Sequence, residues 1–334
     1  MQQQTEEKAQ IIFFNAKLKQ CGVYQYGKNV FAILQEQEKY VYNYVEIENM
    51  GEYNEIMIFA KHIPNVVACI YNYHGIPMHF INKNSLIKLQ NAQNIVISHE
   101  TPFSNISFFD KYISVRAQYI ENQIRSPKEY AFPRPIYKVQ ENLIRPTNKD
   151  FITFCEYGQQ QQLSIPIFGS FGFGYGGKGF DTIIKTVNEQ YDYAIIKFVI
   201  TLGDWIPLTT YQAMMDACRS IPRKAGIELF MYTTFVSNSD ILYFLSKNTL
   251  NLFIYDKHSP SSGNSSTIDY AISVNTPFGI SDSYMFEHIY DDSICVFKRP
   301  LCEIIGNSLE YTKQIREKYS HKALCDKMEY IILA

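Results

Sequence analysis

The sequence predicts an α/β fold with two parallel-sheet halves. Three observations carry that expectation. Short apolar runs alternate with segments whose apolar residues recur at helical spacing. A strand, a glycine-bearing turn and a helix follow one another twice, once near the start of the chain and again over residues 165–190. Between the two repeats lies a proline-punctuated stretch that ends in four consecutive glutamines, Gln159 to Gln162.

In the first half, IIFFNAKL (11–18) reads as a strand. A loop carrying Gly22 follows, with Val30, Phe31, Ile33 and Leu34 at helical spacing behind it. YVYNYVEI (41–48) alternates as a strand does, and a helix is predicted over 51–61. NVVACIYNYHG (65–75) is a buried strand that ends near His74, and NSLIKLQNA is predicted to be helical. NIVISHE (94–100) is another buried strand, with His99 and Glu100 at its carboxyl end. From Thr101 to Pro146 the pattern is irregular, with one strand or helix expected in KYISVRAQYIENQI. The domain boundary is expected between about 145 and 163, giving domains at 1–150 and 151–334.

The second half opens on IPIFGSFGFGYGGKGF (165–180), a strand running into a glycine-rich turn, with a helix over 180–190. Strands at 193–204, 227–236 and 250–259 alternate with helices in TTYQAMMDACRSIP, in SNSDILYFLSKNT (capped by Ser237 or Ser239) and in SSTIDYAISVN. TPFGISDS is a strand, the DDS run at 291–293 a solvated turn, and the tail from Ser308 onward an amphipathic helix.

Size and charge bound the function. A chain of 334 residues is long enough for two full cores. Its formal net charge of −2 and the lack of any basic run argue against a nucleic-acid partner. The opening MQQQTEEKAQ lacks the order of a signal peptide, and no stretch has the length of a transmembrane segment. Seven scattered cysteines without C-x-x-C point to reduced thiols rather than disulfides or zinc. A cytoplasmic protein is expected, with no bound metal.

Chemistry is expected beyond the carboxyl ends of the strands, where open parallel sheets bind ligands. The glycine turn offers Gly172, Gly174 and Gly177 ahead of a helix, with Lys178 beside it. Glycine lets backbone approach a ligand, and helix amides with a lysine favour phosphate. Ser262, Gly263, Asn264, Ser265 and Ser266 form a second donor-rich run before a helix, and Asp269 one turn in is placed to bind ribose hydroxyls. Ser266 and Asp269 also satisfy a capping box, which needs no ligand. Further candidates at strand ends are Thr233, Thr234, Asp256 and His258, while His288 reads as helix-surface packing. His74, His99 and Glu100 are candidate bases, against the alternative of plain strand-end hydrogen bonding. Tyr24 and Tyr26 either stack on a sugar or pack.

The glycine turn with Lys178-Gly179, followed by "LFIYD" and then "GNSSTIDYAISVNTPFGISD", resembles the C-terminal half of GT-B glycosyltransferases. In particular it is similar to the large retaining family related to sucrose and glycogen synthases. The resemblance covers roughly residues 165–290. It implies two Rossmann-like domains facing across a cleft, with the closing helix crossing back to the first. It further implies donor diphosphate contact at Lys178-Gly179, and Asp269 in place of that family's second acidic residue. An N-domain loop at Gly22, Tyr26 and Gly27 would then face the donor, with His99 near the acceptor. Ser261 stands where the first acidic residue would be, and Ser170 lies near the usual arginine, which leaves retention or inversion open. The implied function is transfer of a sugar from a nucleotide-diphosphate sugar to a glycan or other hydroxyl acceptor, with no essential cofactor, also as a module of a larger enzyme.

Two rivals remain. Gly172-x-Gly174-x-x-Gly177, with Asp192 about 20 residues further on, fits a nicotinamide-dinucleotide oxidoreductase. A sugar-nucleotide-binding protein without catalysis fits the departures at Ser261 and Ser170.

Overall fold

A computed structural model of the chain describes residues 8–19, 21–75, 77–82, 86–99, 108–115, 128–138, 143–159, 165–203, 206–257 and 264–334. The chain divides into two compact units. The first holds Met1–Pro135, Pro260–Asn264 and Tyr319–Ala334, the second Ile136–Ser259 and Ser265–Lys318.

In the first unit β1 (Ala9–Ala16), α1 (Gly22–Leu34), β2 (Tyr40–Ile47), α2 (Met50–Ala60), β3 (Val66–Tyr73), β4 (Gln93–Ser98), β5 (Lys111–Ser114) and β6 (Glu129–Ala131) follow in order. Every strand pair is parallel, in the order β2-β1-β3-β4-β5-β6. The period of two sorts the side chains between faces. Ile11, Phe13, Ile70, Ile95 and Ile97 enter one core, and Ile12, Phe14, Cys69, Tyr71 and Val96 enter the other. Both faces are covered, which is why the strands read as continuous apolar runs.

One helix is corrected. The described residues of NSLIKLQNA form no helix. Leu86, Ile87 and Leu89 pack against the α2-side core, and the Ile87 carbonyl accepts a 2.8 Å bond from the Tyr53 hydroxyl. That tertiary bond takes the place of a helical one.

The second unit runs α3 (Lys149–Glu156), β7 (Ile167–Phe173), α4 (Phe180–Gln190), β8 (Tyr193–Thr201), α5 (Leu208–Ser220), β9 (Gly226–Tyr232), α6 (Asn238–Ser246), β10 (Leu250–Phe253), α7 (Thr267–Ser273), β11 (Phe278–Ile280) and α8 (Leu301–Lys318). Its parallel sheet has the order β11-β10-β7-β8-β9. Ser237 caps α6 in a capping box with Asp240. The helix α3 was not expected from the sequence. Asn148 caps its start, and Lys197 from the middle of β8 donates 2.7 Å bonds to the Cys155 and Tyr157 carbonyls at its end. Burial pushes the Lys197 pKa down to about 8, with Cys155 opposing the shift.

The tail is two helices rather than one. Ser320 caps a new start, accepting from the Ala323 amide at 3.2 Å, and α9 (His321–Leu333) follows. This last helix belongs to the first unit, where Leu324, Met328 and Ile331 share a core with Val30, Ile33 and Leu34. Lys111 from β5 donates to the Ile331 and Ile332 carbonyls at 2.5 and 3.3 Å, closing the helix end as Lys197 closes α3.

Candidate functional site

Strand order locates the sites. In the second unit, β8 and β9 lie on one side of β7 while β10 and β11 lie on the other. The direction of winding therefore reverses between β7 and β10, and the carboxyl ends of such a strand pair are where open parallel sheets bind ligands. The segments leaving those two strands are the glycine turn and Ile254–Asp256.

These segments are locked together. The Asp256 amide donates to the Gly177 carbonyl at 3.0 Å. Gly179 caps α4 in a left-handed conformation, φ 63°, and a Cβ there would lie 1.6 Å from the Ile254 carbonyl oxygen. Gly174 packs on Tyr211, and Gly172 lies at the end of β7. Lys178 is 8% exposed, with its Nζ 4.0 Å from the Tyr255 ring centroid and 5.1 Å from that of Tyr175. Burial pulls its pKa down, but Tyr255 and Tyr175 outweigh burial and leave it raised. The ammonium therefore stays charged at neutral pH. Among the described residues no carboxylate forms an ion pair with it. Asp181, in the first turn of α4, is turned to Lys185 at 2.9 Å. A charged lysine buried at the amino end of a helix favours an anion beside it.

The Tyr255 hydroxyl bonds to Thr267 Oγ1 at 2.9 Å and Ser265 Oγ at 3.3 Å, and those two oxygens bond each other at 2.8 Å. Lys178 and Ser265 are thus gathered on one tyrosine, with Asp269, 2% exposed, one turn further along. The sequence did not single out Tyr255 or Thr267; only their place after a strand and before a helix could have marked them. The capping-box expectation is corrected: Ser266 makes no side-chain cap, and the Asp269 amide bonds its carbonyl at 3.2 Å. The Ser265 hydroxyl serves Tyr255 and Thr267 instead. Asn264 belongs to the first unit, where its Nδ2 donates to the Val115 carbonyl at 2.8 Å. Gly263 and His258 lie outside the described residues. Thr233 and Thr234 are exposed beyond β9, the edge strand, and Asp256 is exposed too. His288 is buried, not on a helix surface as expected. Asp192 sits at the amino end of β8, the opposite end of that strand from the glycine turn, and pairs with Lys224 at 2.9 Å. It is in no position to hold a ribose at that turn, which removes the support for a dinucleotide.

In the first unit the winding reverses between β1 and β3. Two buried asparagines mark that point. Asn72 Nδ2 donates to Asn15 Oδ1 and to the Val23 carbonyl, each at 2.8 Å. Asn15 Nδ2 donates to the Tyr24 carbonyl at 3.0 Å and the Tyr44 hydroxyl at 2.9 Å. Tyr24 and Tyr44 donate in turn to Glu46 at 2.6 and 3.2 Å. The expected loop at Gly22, Tyr26 and Gly27 is corrected to the first two turns of α1. Those turns are bonded down onto the strand ends through the Val23 and Tyr24 carbonyls, and a Cβ on Gly27 would meet Asn72 at 2.3 Å. Tyr24 and Tyr26 are buried.

His99 follows β4, with Nε2 2.7 Å from Asn72 Oδ1 and its ring edge-on to Tyr26 at 4.7 Å. Burial first, then the charges of Arg134 and His74, pushes its pKa down to about 3. His74 lies 3.8 Å from the Cys21 thiol, and Glu100 is outside the described residues. Because the folded pKa of His99 is below the unfolded one, its contribution to stability is complete above the ordinary histidine pKa and is lost as pH falls toward 3. Between pH 7 and pH 5 the loss is about 2 kcal/mol. Urea midpoints at the two pH values should show it in the native chain and not in His99→Gln. Parallel losses in both would remove His99 as the cause.

Among the described residues no group of three or more His, Cys, Asp and Glu side chains forms a metal site. Nor, among the described residues, is any helix long and apolar enough to cross a membrane.

No family model matches the chain, and no curated protein matches it. Solved structures do. A glycosyltransferase from Rickettsia africae is 9% identical with a TM-score of 0.64, matched over 98% of each chain. Anabaena HepE in complex with UDP-glucose is 10% identical with a TM-score of 0.67, over 97% of this chain and 99% of its own. An alpha-glucosyltransferase in complex with UDP and a DNA containing an HMU base is 10% identical with a TM-score of 0.61, over 98% and 100%. What this chain shares with them, two parallel-sheet α/β units in one sequence, is the GT-B glycosyltransferase fold.

Proposed function

We propose that this protein is a glycosyltransferase that moves a sugar, a hexose by our reading, from a nucleotide-diphosphate sugar to a hydroxyl acceptor in carbohydrate biosynthesis. The observation that carries the reading is Lys178: a buried ammonium with no carboxylate partner among the described residues, beside the amino end of α4 and at the winding reversal of its sheet. Departure of a nucleoside diphosphate builds negative charge on the β-phosphate, and preorganised cations and amides stabilise that charge. Lys178 and the first amides of α4 supply it here, so transfer is proposed to need no metal. Asp269 is proposed to accept from the ribose hydroxyls. HepE in complex with UDP-glucose supports a UDP-sugar as the donor, with a GDP-sugar as the alternative.

The first unit is proposed to carry the acceptor side. With its pKa near 3 and Nε2 on Asn72, His99 is suited to hydrogen bonding a hydroxyl rather than taking its proton at neutral pH. A glycan acceptor fits better than the DNA of the alpha-glucosyltransferase complex, because the chain has a net charge of −2 and no basic run. All seven cysteines are free thiols, which supports action in the reducing cytoplasm.

Calorimetry with UDP and GDP, and a donor-hydrolysis screen across nucleotide sugars in EDTA, test the reading. Lys178→Ala should weaken nucleoside diphosphate binding by about 1.5–3 kcal/mol, the worth of a charge-assisted contact. Unchanged affinity would take Lys178 out of the site. Binding without turnover of any donor would favour a non-catalytic sugar-nucleotide-binding protein.

A further inference from the structure

We propose that Tyr255 is the positioning residue of the donor site, its ring seating the Lys178 ammonium while its hydroxyl fixes Ser265 and Thr267. The proposal rests on the reading of Lys178 as the diphosphate contact, and goes beyond it by naming what holds that lysine ready.

A carboxylate that holds a buried lysine also neutralises it. An aromatic face attracts the ammonium through the ring quadrupole and leaves its net charge available. Lys178 has the second kind of seat, 4.0 Å above the Tyr255 ring. The seat itself is fixed from four sides. Phe286 packs on the Tyr255 ring with centroids 4.8 Å apart. The Tyr255 carbonyl accepts from Ser281 Oγ at 2.7 Å. Its hydroxyl closes a triangle with Ser265 Oγ and Thr267 Oγ1, and the neighbouring Asp256 amide is tied to Gly177. A tyrosine buried only to fill a core needs one hydrogen-bond partner and apolar neighbours. This one carries a cation on its face and two hydroxyls at its tip, so the glycine turn and the start of α7 are held in one fixed relation.

The test is a double-mutant cycle read by calorimetry with UDP. Tyr255→Leu is expected to weaken UDP binding about 10-fold, and Tyr255→Phe, which keeps the ring, about 3-fold or less. In the Lys178→Ala background the same Tyr255→Leu change should alter affinity by less than about 2-fold, because the lysine through which it acts is gone. A general structural role would lower affinity equally in both backgrounds, and that result overturns the proposal, as does native affinity in Tyr255→Leu. Tyr255→Met, which fills similar space without a π face, replaces the leucine variant should that chain fail to fold. Wild-type protein that ignores UDP and GDP alike overturns the diphosphate reading and the Tyr255 role with it. Wild-type binding with an unchanged Tyr255→Leu overturns the Tyr255 role alone.

Discussion

Gly179→Ala should disable the donor site and destabilise the second unit by about 3–5 kcal/mol, in the range of the most damaging single substitutions. Two penalties coincide at this residue. Its φ of 63° is costly for any side chain, and an added methyl carbon would sit 1.6 Å from the Ile254 carbonyl oxygen. That oxygen is main chain and its neighbours are tied to Gly177 and Ser281, so it has no cheap way to retreat. Either α4 loses its first turn or Ile254–Asp256 moves away, and Tyr255 moves with it. For a unit of this size the loss corresponds to a fall in melting temperature of roughly 10 °C. Thermal unfolding and UDP calorimetry on the same preparation check both halves. Gly176 provides the control, since a Cβ there meets nothing within 4 Å. A Gly179→Ala chain as stable as Gly176→Ala would show that the approach of α4 to β10 is not tight.

That contrast explains what the sequence could and could not reveal. Five glycines in nine residues marked the turn, but nothing in the string separated Gly179, pressed against a carbonyl, from Gly176, open to space. The parallel-sheet halves were legible because both faces of each sheet are covered, so apolar runs such as NVVACIYNY declare themselves. Helix α3 was hidden because Asn148 caps a mere eight residues whose far end depends on Lys197, 40 positions along the chain. Tyr255 was hidden for a related reason. Its partners Lys178, Ser265, Thr267 and Ser281 come from three other segments, and no local pattern records a contact made by folding. The reversal of winding between β7 and β10 is likewise a fact of topology. Lys178 stood out beforehand because a lysine directly behind glycines, at the mouth of a helix, is informative without any tertiary contact.

In the first unit the residue with the largest expected effect is Asn72, which no motif marked. It is wholly buried, and its carboxamide makes three bonds, to Asn15 Oδ1 (which also accepts from the Ala16 amide), to the Val23 carbonyl and to His99 Nε2. Each buried partner left unpaired costs about 1–3 kcal/mol, and the losses are not additive within one network. Asn72→Ala is therefore expected to destabilise the first unit by about 3–5 kcal/mol and to free the opening turns of α1, whose Val23 carbonyl it holds. Asn72→Asp should recover part of this, because a carboxylate still accepts from His99 but cannot donate to Val23 or Asn15. It also sets a negative charge beside a histidine whose pKa lies near 3, so its His99 pKa should rise. Native-state hydrogen exchange reads the two units separately where a single melting curve cannot. The expected pattern is faster exchange confined to α1 and the ends of β1, β3 and β4, with α4 and α7 unchanged. Protection of α1 at the native level in Asn72→Ala would mean that its opening turns rest on the Asn15 bond to the Tyr24 carbonyl and on apolar packing, and that Asn72 has a purpose other than holding them.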